Sequence, residues 1–315
     1  MFANKRLRPA KELLINALSN NVAVGAFNFS NMEMVQAIVE AANEEKQPVI
    51  LQASSSAIKY MGFPYIRAIV SAAAEVSEEP ISLHLDHGKD FEVCKRCIDE
   101  GFTSVMIDAS SLSFEDNIKE TKKVVEYARQ YGVSVEAELG TLAGVEDEVI
   151  VDSNSAVYTD PDEAAEFIER TSIDSLAIAI GTSHGPNKGL KGNPKLSIST
   201  LQKIKDKVGE FPLVLHGASA VYSDAVALCN KYGANIKNAY GILDQDIEEA
   251  IKYGIAKVNV DTDLRIAFLG NLRKSLTEKP ENIDMRAYLG LAKEAVKLAV
   301  KQRIKTFSEI KELTL

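Results

Sequence analysis

Short apolar runs rich in β-branched residues alternate along this chain with longer amphipathic stretches. The runs that read as strands are residues 22–29, 48–54, 81–86, 104–110, 134–140, 175–181, 212–217 and 257–263. The earlier runs are mostly apolar on both faces, which is typical of parallel strands that are covered on both sides. The alternation therefore predicts a repeated unit of one strand followed by one helix.

The stretches between these runs carry the signals of helix ends. Ser30 and Glu33 fit a capping box, and Asp160 followed by Pro161 fits a helix N-terminus. Three glycines stand where a helical stretch gives way to a strand: Gly101, Gly132 and Gly254. Glycine is favoured there because it accepts the left-handed backbone that closes a helix. These stretches are therefore interpreted as helices.

Eight strand–helix units in about 260 residues predict a closed parallel barrel, the α/β fold called the (β/α)8 or TIM barrel. An open doubly wound sheet is the alternative, but no GxGxxG motif follows the first strand. Extra helices are expected at residues 11–20, covering the barrel bottom, and at residues 286–312. No linker or low-complexity segment divides the chain, so residues 1–315 are interpreted as a single domain.

The composition narrows the class of protein. Hydrophobic residues make up 46% of the 315 positions and the formal net charge is −9. This acidic balance argues against nucleic acid as a partner, because phosphates require a basic surface. No apolar stretch is long enough for a membrane helix and no signal peptide is recognisable, so a cytoplasmic protein without membrane contact is expected. Cys94 and Cys97 are interpreted as packing on one helix face rather than as a metal or redox pair.

All four histidines lie at the ends of predicted strands three, six and seven. Barrel enzymes build their active sites at the C-terminal ends of their strands. Three imidazoles from such ends, His87, His184 and His216, can converge on one zinc ion and leave its fourth position open. The alternative is that each of them is a separate polar or capping residue. Their matching structural positions favour the metal site.

Two polar residues precede His87 in the third strand. Asp86 lies in a mostly apolar strand, where a buried carboxylate must be paired or functional. It is a candidate for proton transfer near the metal, or else a partner that orients a histidine. His84 lies on the same strand face and is either an orienting group or a core histidine; the sequence leaves both open.

Three later loops hold further candidates. The acidic, glycine-bearing loop after strand five suits a mobile active-site segment in which Glu146 or Glu148 acts as a base, although a solvated loop is the alternative. Gly185 and Lys188 follow strand six, and Gly217 and Ser219 follow strand seven. Backbone amides, hydroxyls and one lysine in such loops suit a phosphate group.

Seven motifs occur in one order between about residue 25 and residue 286: GAFNFSNMEMVQAIVEAA, LHLDHG, VMIDAS, VEAELG, GTSHG, HGAS and NVDTDLR. Their ordered set closely resembles the class II, metal-dependent fructose-bisphosphate aldolases, in the compact subgroup that also contains tagatose-bisphosphate aldolases. The resemblance implies zinc-dependent, reversible cleavage of fructose 1,6-bisphosphate into dihydroxyacetone phosphate and glyceraldehyde 3-phosphate. One departure is Ala220, where the family often has glycine.

The resemblance also implies roles for individual residues. The three histidines named above would hold the zinc, and Glu138 would lie near a second metal position. Asp86 would transfer the proton of the hydroxyl at carbon 4, and Glu146 the proton of the dihydroxyacetone phosphate carbon. The residues implied to bind substrate are Asn28, Ser54, Gly185, Lys188, Gly217, Ser219, Asn259, Asp261, Thr262, Arg265 and Arg286. A sodium or potassium ion is expected beside one phosphate.

The implied position of Arg286 also bears on assembly. In the family this arginine reaches the site from a neighbouring subunit, so a homodimer or homotetramer is expected. Arg265 and Asp284 favour the fructose over the tagatose epimer, which stays the alternative substrate. A barrel that binds sugar phosphate without turnover is the alternative from another class. A lysine Schiff base is disfavoured because Lys257 begins the eighth run, at the end away from the site.

Overall fold

The computed structural model describes residues 6–141, 143–146, 149–151, 157–184 and 195–308, with the backbone alone for residues 143–146, 149–151 and 184. Eleven strands lie in these ranges: β1 Val24–Asn28, β2 Val49–Ser54, β3 Ile81–Gly88, β4 Ser104–Ile107, β5 Ser134–Leu139, β6 Ala143–Glu146, β7 Val149–Val151, β8 Ser175–Ile178, β9 Ser183–His184, β10 Leu213–Leu215 and β11 Ile255–Val260. Eight of them form a closed barrel in the order β1-β11-β10-β8-β5-β4-β3-β2. Each predicted strand matches one barrel strand, so the TIM barrel is confirmed.

Helices follow the strands on the outside of the barrel. They are α1 Ala10–Ser19, α2 Met32–Glu45, α3 Ser55–Met61, α4 Phe63–Val76, α5 Phe91–Asp99, α6 Phe114–Arg129, α7 Pro161–Thr171, α8 Ile198–Val208, α9 Ser223–Lys231, α10 Asp244–Lys252, α11 Thr262–Glu278 and α12 Met285–Phe307. The last helix was predicted over residues 286–312, of which 309–312 lie outside the described residues. No helix within the described ranges combines the length and apolar character that a membrane crossing requires.

The first helix covers the bottom of the barrel, as predicted. Leu13 and Leu14 of α1 belong to one buried cluster with Val24, Ile50 and Ala256, which come from the N-terminal halves of three strands. Burying this apolar surface stabilises the closed barrel and excludes water from below. The polar residues of the interior consequently lie in the layers above this cluster.

One helix cap matches its prediction and another differs by one residue. Asp160 caps α7 by accepting hydrogen bonds from two backbone amides at 2.8 and 3.0 Å. The cap of α2 is Asn31, which accepts from the Met34 amide at 2.9 Å, so the prediction of Ser30 was wrong. Serine and asparagine are comparable N-cap residues, so the residue type does not show which of the two caps the helix. The extended backbone at Asn31 identifies it as the cap.

The two neighbouring cysteines pack as expected. Cys94 and Cys97 lie on α5 and are both fully buried. Burial raises the pKa of the Cys97 thiol to about 12. A protonated, inaccessible thiol is a poor nucleophile and a poor metal ligand, so this pair has a packing role.

A small sheet joins the loop after β5 to the segment after β8. Strand β6 pairs antiparallel with β7 and parallel with β9, and Gly144 is the register partner of His184. The sequence predicted only a flexible loop here, and the backbone instead forms paired strands. This pairing ties the segment that carries Glu146 to the segment that carries His184. The side chains of both residues lie outside the described part of the chain, as do Glu148 and residues 185–194.

Candidate active site

Strand β3 ends in an irregularity that brings the side chains of the adjacent residues Asp86 and His87 close to each other. Neighbouring residues of a regular strand point to opposite faces. The register between β3 and β4 shifts after Leu85, and His87 has a backbone φ of 49°. Potential ligand atoms of Asp86, His87 and His216 consequently lie within 4.8 Å of one another. A positive φ at a residue other than glycine is costly, and such strain is concentrated at functional sites.

The two histidines face each other through ring nitrogens. Nδ1 of His216 lies 2.9 Å from Nε2 of His87. The outer nitrogen of His87 lies 2.8 Å from Asp108, and that of His216 lies 2.9 Å from Glu136. Because carboxylates accept hydrogen bonds, each ring donates its outer proton and turns a lone pair inward. Two lone pairs so close would repel each other, so a cation between them would stabilise this arrangement, and the donor set fits a metal ion.

The protonation states agree with this assignment. Burial lowers the pKa of His216 despite the opposing hydrogen bond to Glu136, so the ring is neutral and able to bind a metal. Burial by itself would raise the pKa of Asp108. The hydrogen bonds from His87 and Ser110 outweigh burial and hold that pKa well below its ordinary value. Asp108 therefore stays ionised and orients the imidazole of His87.

A second candidate metal position overlaps the first. Atoms of His87, Asp108 and Glu138 also lie within 4.8 Å of one another. Oε2 of Glu138 is 4.0 Å from Nδ1 of His87 and 3.9 Å from Nδ1 of His216. Asp108 had no role assigned from the sequence, although it ends the fourth run as the histidines end theirs. That position at a strand end was the signal that could have identified it.

Uncharged amides surround Asp86, which is 1% exposed. Asn28 donates to one carboxylate oxygen at 2.8 Å and Asn259 to the other at 3.2 Å. Gln52, which sequence reasoning missed, donates to Asn28 at 2.6 Å. These amides orient the carboxylate while leaving it without a charged partner among the described residues. Oδ1 of Asn259 is buried and has no hydrogen-bond partner among the described residues. A buried acceptor without a partner is available to bind a ligand.

Lys257 crosses the barrel interior, contrary to its predicted place away from the site. Strand β11 begins at Ile255, so Lys257 lies within the strand. The register between β11 and β10 shifts at Val214, and this shift places the side chain of Lys257 in the barrel interior. Its ammonium is fully buried, 2.8 Å from Oε2 and 3.1 Å from Oε1 of Glu136. An ammonium paired in this way is not the neutral amine that a Schiff base requires. The predicted position of Lys257 at the start of its strand was wrong, but its ion pair with Glu136 still disfavours a Schiff base.

The same lysine links His84 to the site. Lys257 donates to Nε2 of His84 at 3.2 Å, and Nδ1 of His84 lies 2.8 Å from the Ser104 hydroxyl. Burial and the nearby Lys257 lower the pKa of His84 well below its ordinary value. His84 is therefore a neutral core histidine. Lys257 and Glu136 connect it to His216.

Glu136 occupies the centre of this chain of hydrogen bonds. Burial would raise the pKa of Glu136, but Lys257 and the hydrogen bond from His216 hold it well below its ordinary value. The carboxylate therefore accepts the outer proton of His216 and fixes the tautomer with Nδ1 turned inward. Lys257 in turn neutralises the carboxylate, which would be costly to bury alone.

The residues predicted to bind substrate lie at several strand ends. Ser54 caps α3 through the Ala57 amide, Ser219 accepts from the Asp261 amide at 3.4 Å, and Thr262 begins α11. Arg265 pairs with Asp261 at 2.7 Å. The backbone of Gly217 has φ 60°, and a Cβ there would approach the Ser183 carbonyl to 2.5 Å. Only glycine lets this loop pass against β9. Gly185 and Lys188 lie outside the described residues.

Arg286, another predicted site residue, lies at the exposed start of the last helix. It lies in the first turn of α12, its side chain is 91% exposed, and its guanidinium binds Asp284 at 2.9 Å. Ile283 and Met285 beside it are 93% and 71% exposed. A positive group among large exposed apolar side chains is typical of a surface that a partner covers.

Comparisons with known proteins identify the family to which this chain belongs. The family model described as "Fructose-bisphosphate aldolase class-II" matches residues 8–311. A fructose-bisphosphate aldolase of Thermus caldophilus is 50% identical over 95% of this chain and 97% of its own. One from Helicobacter pylori is 48% identical over 93% and 95%. The crystal structure of the YdjI aldolase from Escherichia coli K12 has a TM-score of 0.75 at 32% identity, covering 96% and 97%. The chain belongs to the class II fructose-bisphosphate aldolase family.

Proposed function

We propose that this chain cleaves fructose 1,6-bisphosphate reversibly at a zinc site formed by His87, His184 and His216. As a class II fructose-bisphosphate aldolase it is a lyase whose substrate is a sugar bisphosphate. The observation that carries the metal assignment is the pair of inward ring nitrogens 2.9 Å apart, each fixed by a carboxylate behind it. A single domain over residues 1–315, a cytoplasmic location and a role in glycolysis or gluconeogenesis are parts of the same proposal.

The metal and its ligands have separate roles in this proposal. Membership of the class II family implies zinc, which when bound acts as a Lewis acid toward the ketone oxygen. Asp108 and Glu136 orient two of the histidines from behind. Glu138 is the candidate ligand for a second metal position, supported by its place beside both rings.

Two carboxylates carry the proton transfers. In cleavage, Asp86 accepts the proton of the hydroxyl at carbon 4 as the adjacent carbon–carbon bond breaks. Asn28 and Asn259 hold Asp86 for this step. Glu146 then protonates the carbon of the dihydroxyacetone phosphate half, and it removes that proton in the reverse reaction. The pairing of β6, which ends at Glu146, with β9, which ends at His184, supports an approach of Glu146 to the site.

The loops at the strand ends bind the two phosphates. Gly185, Lys188, Gly217 and Ser219 bind the first, together with Asp261, Thr262 and a sodium or potassium ion. Arg265 faces the second phosphate. Asn28, Ser54 and Asn259 contact the substrate between them. The buried, unpartnered acceptor of Asn259 supports this assignment.

Removing the metal is expected to abolish cleavage of fructose 1,6-bisphosphate. Purified protein is treated with a chelator, its metal content is verified, and zinc is then restored. Activity should disappear and return, because a bound metal would stabilise the negative charge left on the dihydroxyacetone phosphate half. Parallel assays with tagatose 1,6-bisphosphate measure the preference between epimers. Full activity after verified metal removal would contradict the histidine site.

Arg286 is expected to act in the active site of a neighbouring subunit. Arg286→Ala should raise the KM for fructose 1,6-bisphosphate about 10- to 100-fold, because an ionic hydrogen bond to phosphate is lost. Arg96→Ala, which removes another exposed, ion-paired arginine, is the matched control and should leave KM unchanged.

A mixed oligomer tests whether Arg286 acts between subunits. Arg286→Ala protein is refolded together with an Asp86→Asn variant. If the arginine comes from the partner, one class of site in the mixed oligomer contains both native residues. The mixture should then recover cleavage with the native KM. No recovery would show that each arginine serves its own subunit.

A further inference from the structure

The loop after β10, residues 217–221, has a left-handed backbone at both ends, which glycine accepts readily and valine does not. Gly217 has φ 60° and Val221 has φ 49°. A β-branched residue rarely adopts a left-handed backbone, because its side chain then crowds the neighbouring carbonyl groups. Such a conformation persists only where surrounding contacts enforce it. The structure must therefore contain groups that hold this loop.

The Asp263 carboxylate holds the loop by accepting hydrogen bonds from two of the loop's backbone amides. The Ala220 amide donates to Oδ2 of Asp263 at 3.0 Å, and the Val221 amide donates to Oδ1 at 2.7 Å. Asp263 lies in the first turn of α11 and is 5% exposed. A carboxylate that accepts two amides in a buried site is a strong anchor. It fixes the part of the loop where the positive φ of Val221 occurs.

Two further backbone contacts hold the loop from outside. The Ser219 carbonyl accepts from the Ile242 amide at 3.1 Å. A Cβ at Gly241 would approach the Ala220 carbonyl to 2.2 Å, so the segment before α10 packs directly on the loop. These contacts hold the carbonyl side of the loop, while Asp263 holds its amides.

Arg303 of α12 completes this set of contacts. Its side chain is fully buried, and Nη2 donates to the Ala218 carbonyl at 3.3 Å. Nε lies 3.7 Å from Oδ2 of Asp263, and Nη1 binds Asp244 and the Tyr222 hydroxyl. A buried aspartate without a counter-charge would be strongly destabilising. Arg303 therefore compensates the charge of Asp263 and also binds the loop itself.

We propose that Asp263 and Arg303 are positioning residues for phosphate binding. They hold residues 217–221 in the strained conformation in which Gly217 and Ser219 meet a substrate phosphate. This inference rests on the proposed function of that loop. Asp263 also follows Thr262 directly, so the turn of helix that anchors the loop carries another proposed phosphate ligand. The terminal helix thus contributes to substrate affinity through contacts behind the site.

The Asp263→Asn variant tests the inference. Asparagine keeps the shape but offers one acceptor oxygen in place of two, and it removes the charge paired with Arg303. The KM for fructose 1,6-bisphosphate and the Ki of inorganic phosphate as a competitor should both rise about tenfold. The kcat should change by less than about threefold, and zinc content should not change, because neither contact involves the metal ligands.

A matched control and a second variant separate positioning from folding. Asp162 lies in the first turn of α7 and forms an exposed ion pair with Lys207, so Asp162→Asn should leave KM and Ki unchanged. Arg303→Lys keeps the charge but cannot bind Ala218 and Asp244 together. It should raise the Ki of phosphate by a smaller factor than Asp263→Asn does. This second variant keeps the test open if Asp263→Asn protein is unstable.

The outcomes distinguish this inference from the proposed function. Cleavage by the unmodified protein, competitively inhibited by phosphate, supports the proposed phosphate site. If that inhibition is present but both variants keep the original Ki and KM, the positioning role is overturned. Equal losses of kcat and zinc at unchanged KM would also overturn it, because they indicate general damage to the barrel. A selective rise in KM and Ki supports it.

Discussion

Asp86→Asn is expected to lower kcat for fructose 1,6-bisphosphate about 10²- to 10⁴-fold, the range for losing a general acid or base. The side chain keeps its shape, but an amide cannot accept the proton of the carbon 4 hydroxyl. Zinc should remain bound, because the histidine ligands and the carboxylates behind them are unchanged. The measurements are steady-state kinetics and the zinc content of the purified variant.

A nearby aspartate provides the control for Asp86. Asp90 caps α5 by accepting from the Val93 amide at 2.9 Å, and asparagine is an equally good cap. Asp90→Asn should therefore leave both kcat and zinc content unchanged. Normal turnover by zinc-loaded Asp86→Asn protein would refute the proton-transfer role. Loss of zinc in proportion to activity would instead identify Asp86 as a metal ligand, as its distance to the two histidines permits.

Lys257→Met is expected to destabilise the protein by about 3–5 kcal/mol, the cost of breaking a buried ion pair from one side. The Glu136 carboxylate, 2% exposed, would lose its counter-charge. Zinc affinity should also fall about 10- to 100-fold, because Glu136 orients the ring of His216. Urea denaturation measures the first effect, and zinc titration of the metal-free protein measures the second.

The double variant Lys257→Met with Glu136→Gln separates charge from packing. Its destabilisation should be smaller than the sum of the two single changes, since no uncompensated charge remains in the barrel. Lys11→Met is the surface control: it breaks an ion pair with Asp174 in which the lysine is 55% exposed, and should cost less than about 1 kcal/mol. Unchanged zinc affinity in Lys257→Met protein would show that the orientation of His216 does not depend on this pair.

The strands and the histidine positions were predictable because their signals are local. A parallel barrel strand is covered on both faces, so each strand appears as a short apolar run bounded by polar residues. The candidate ligands follow directly from where those runs become polar. Some predicted runs extend past the structural strands: residues 262 and 263 of the eighth run already belong to α11. The polar ends of the runs are where the backbone leaves the sheet to form the site.

The partners of the polar residues were not predictable in the same way. Glu136 and Lys257 are 121 residues apart and come from strands that do not pair with each other. Their contact exists only because the barrel closes and a register shift in β11 places Lys257 in the interior. The bulge that turns Asp86 and His87 together is likewise a property of strand pairing.

The sequence by itself therefore determined the number of barrel strands, the fold class and the residue types at the C-terminal ends of the barrel. Tertiary structure alone decided which carboxylate orients which histidine, that Lys257 is a buried counter-charge, and that Asp263 and Arg303 hold the loop after β10. The physical reason is that hydrophobic periodicity depends on neighbours along the chain. Pairing of buried charges depends instead on strand register and barrel closure, which bring distant segments within a few ångströms.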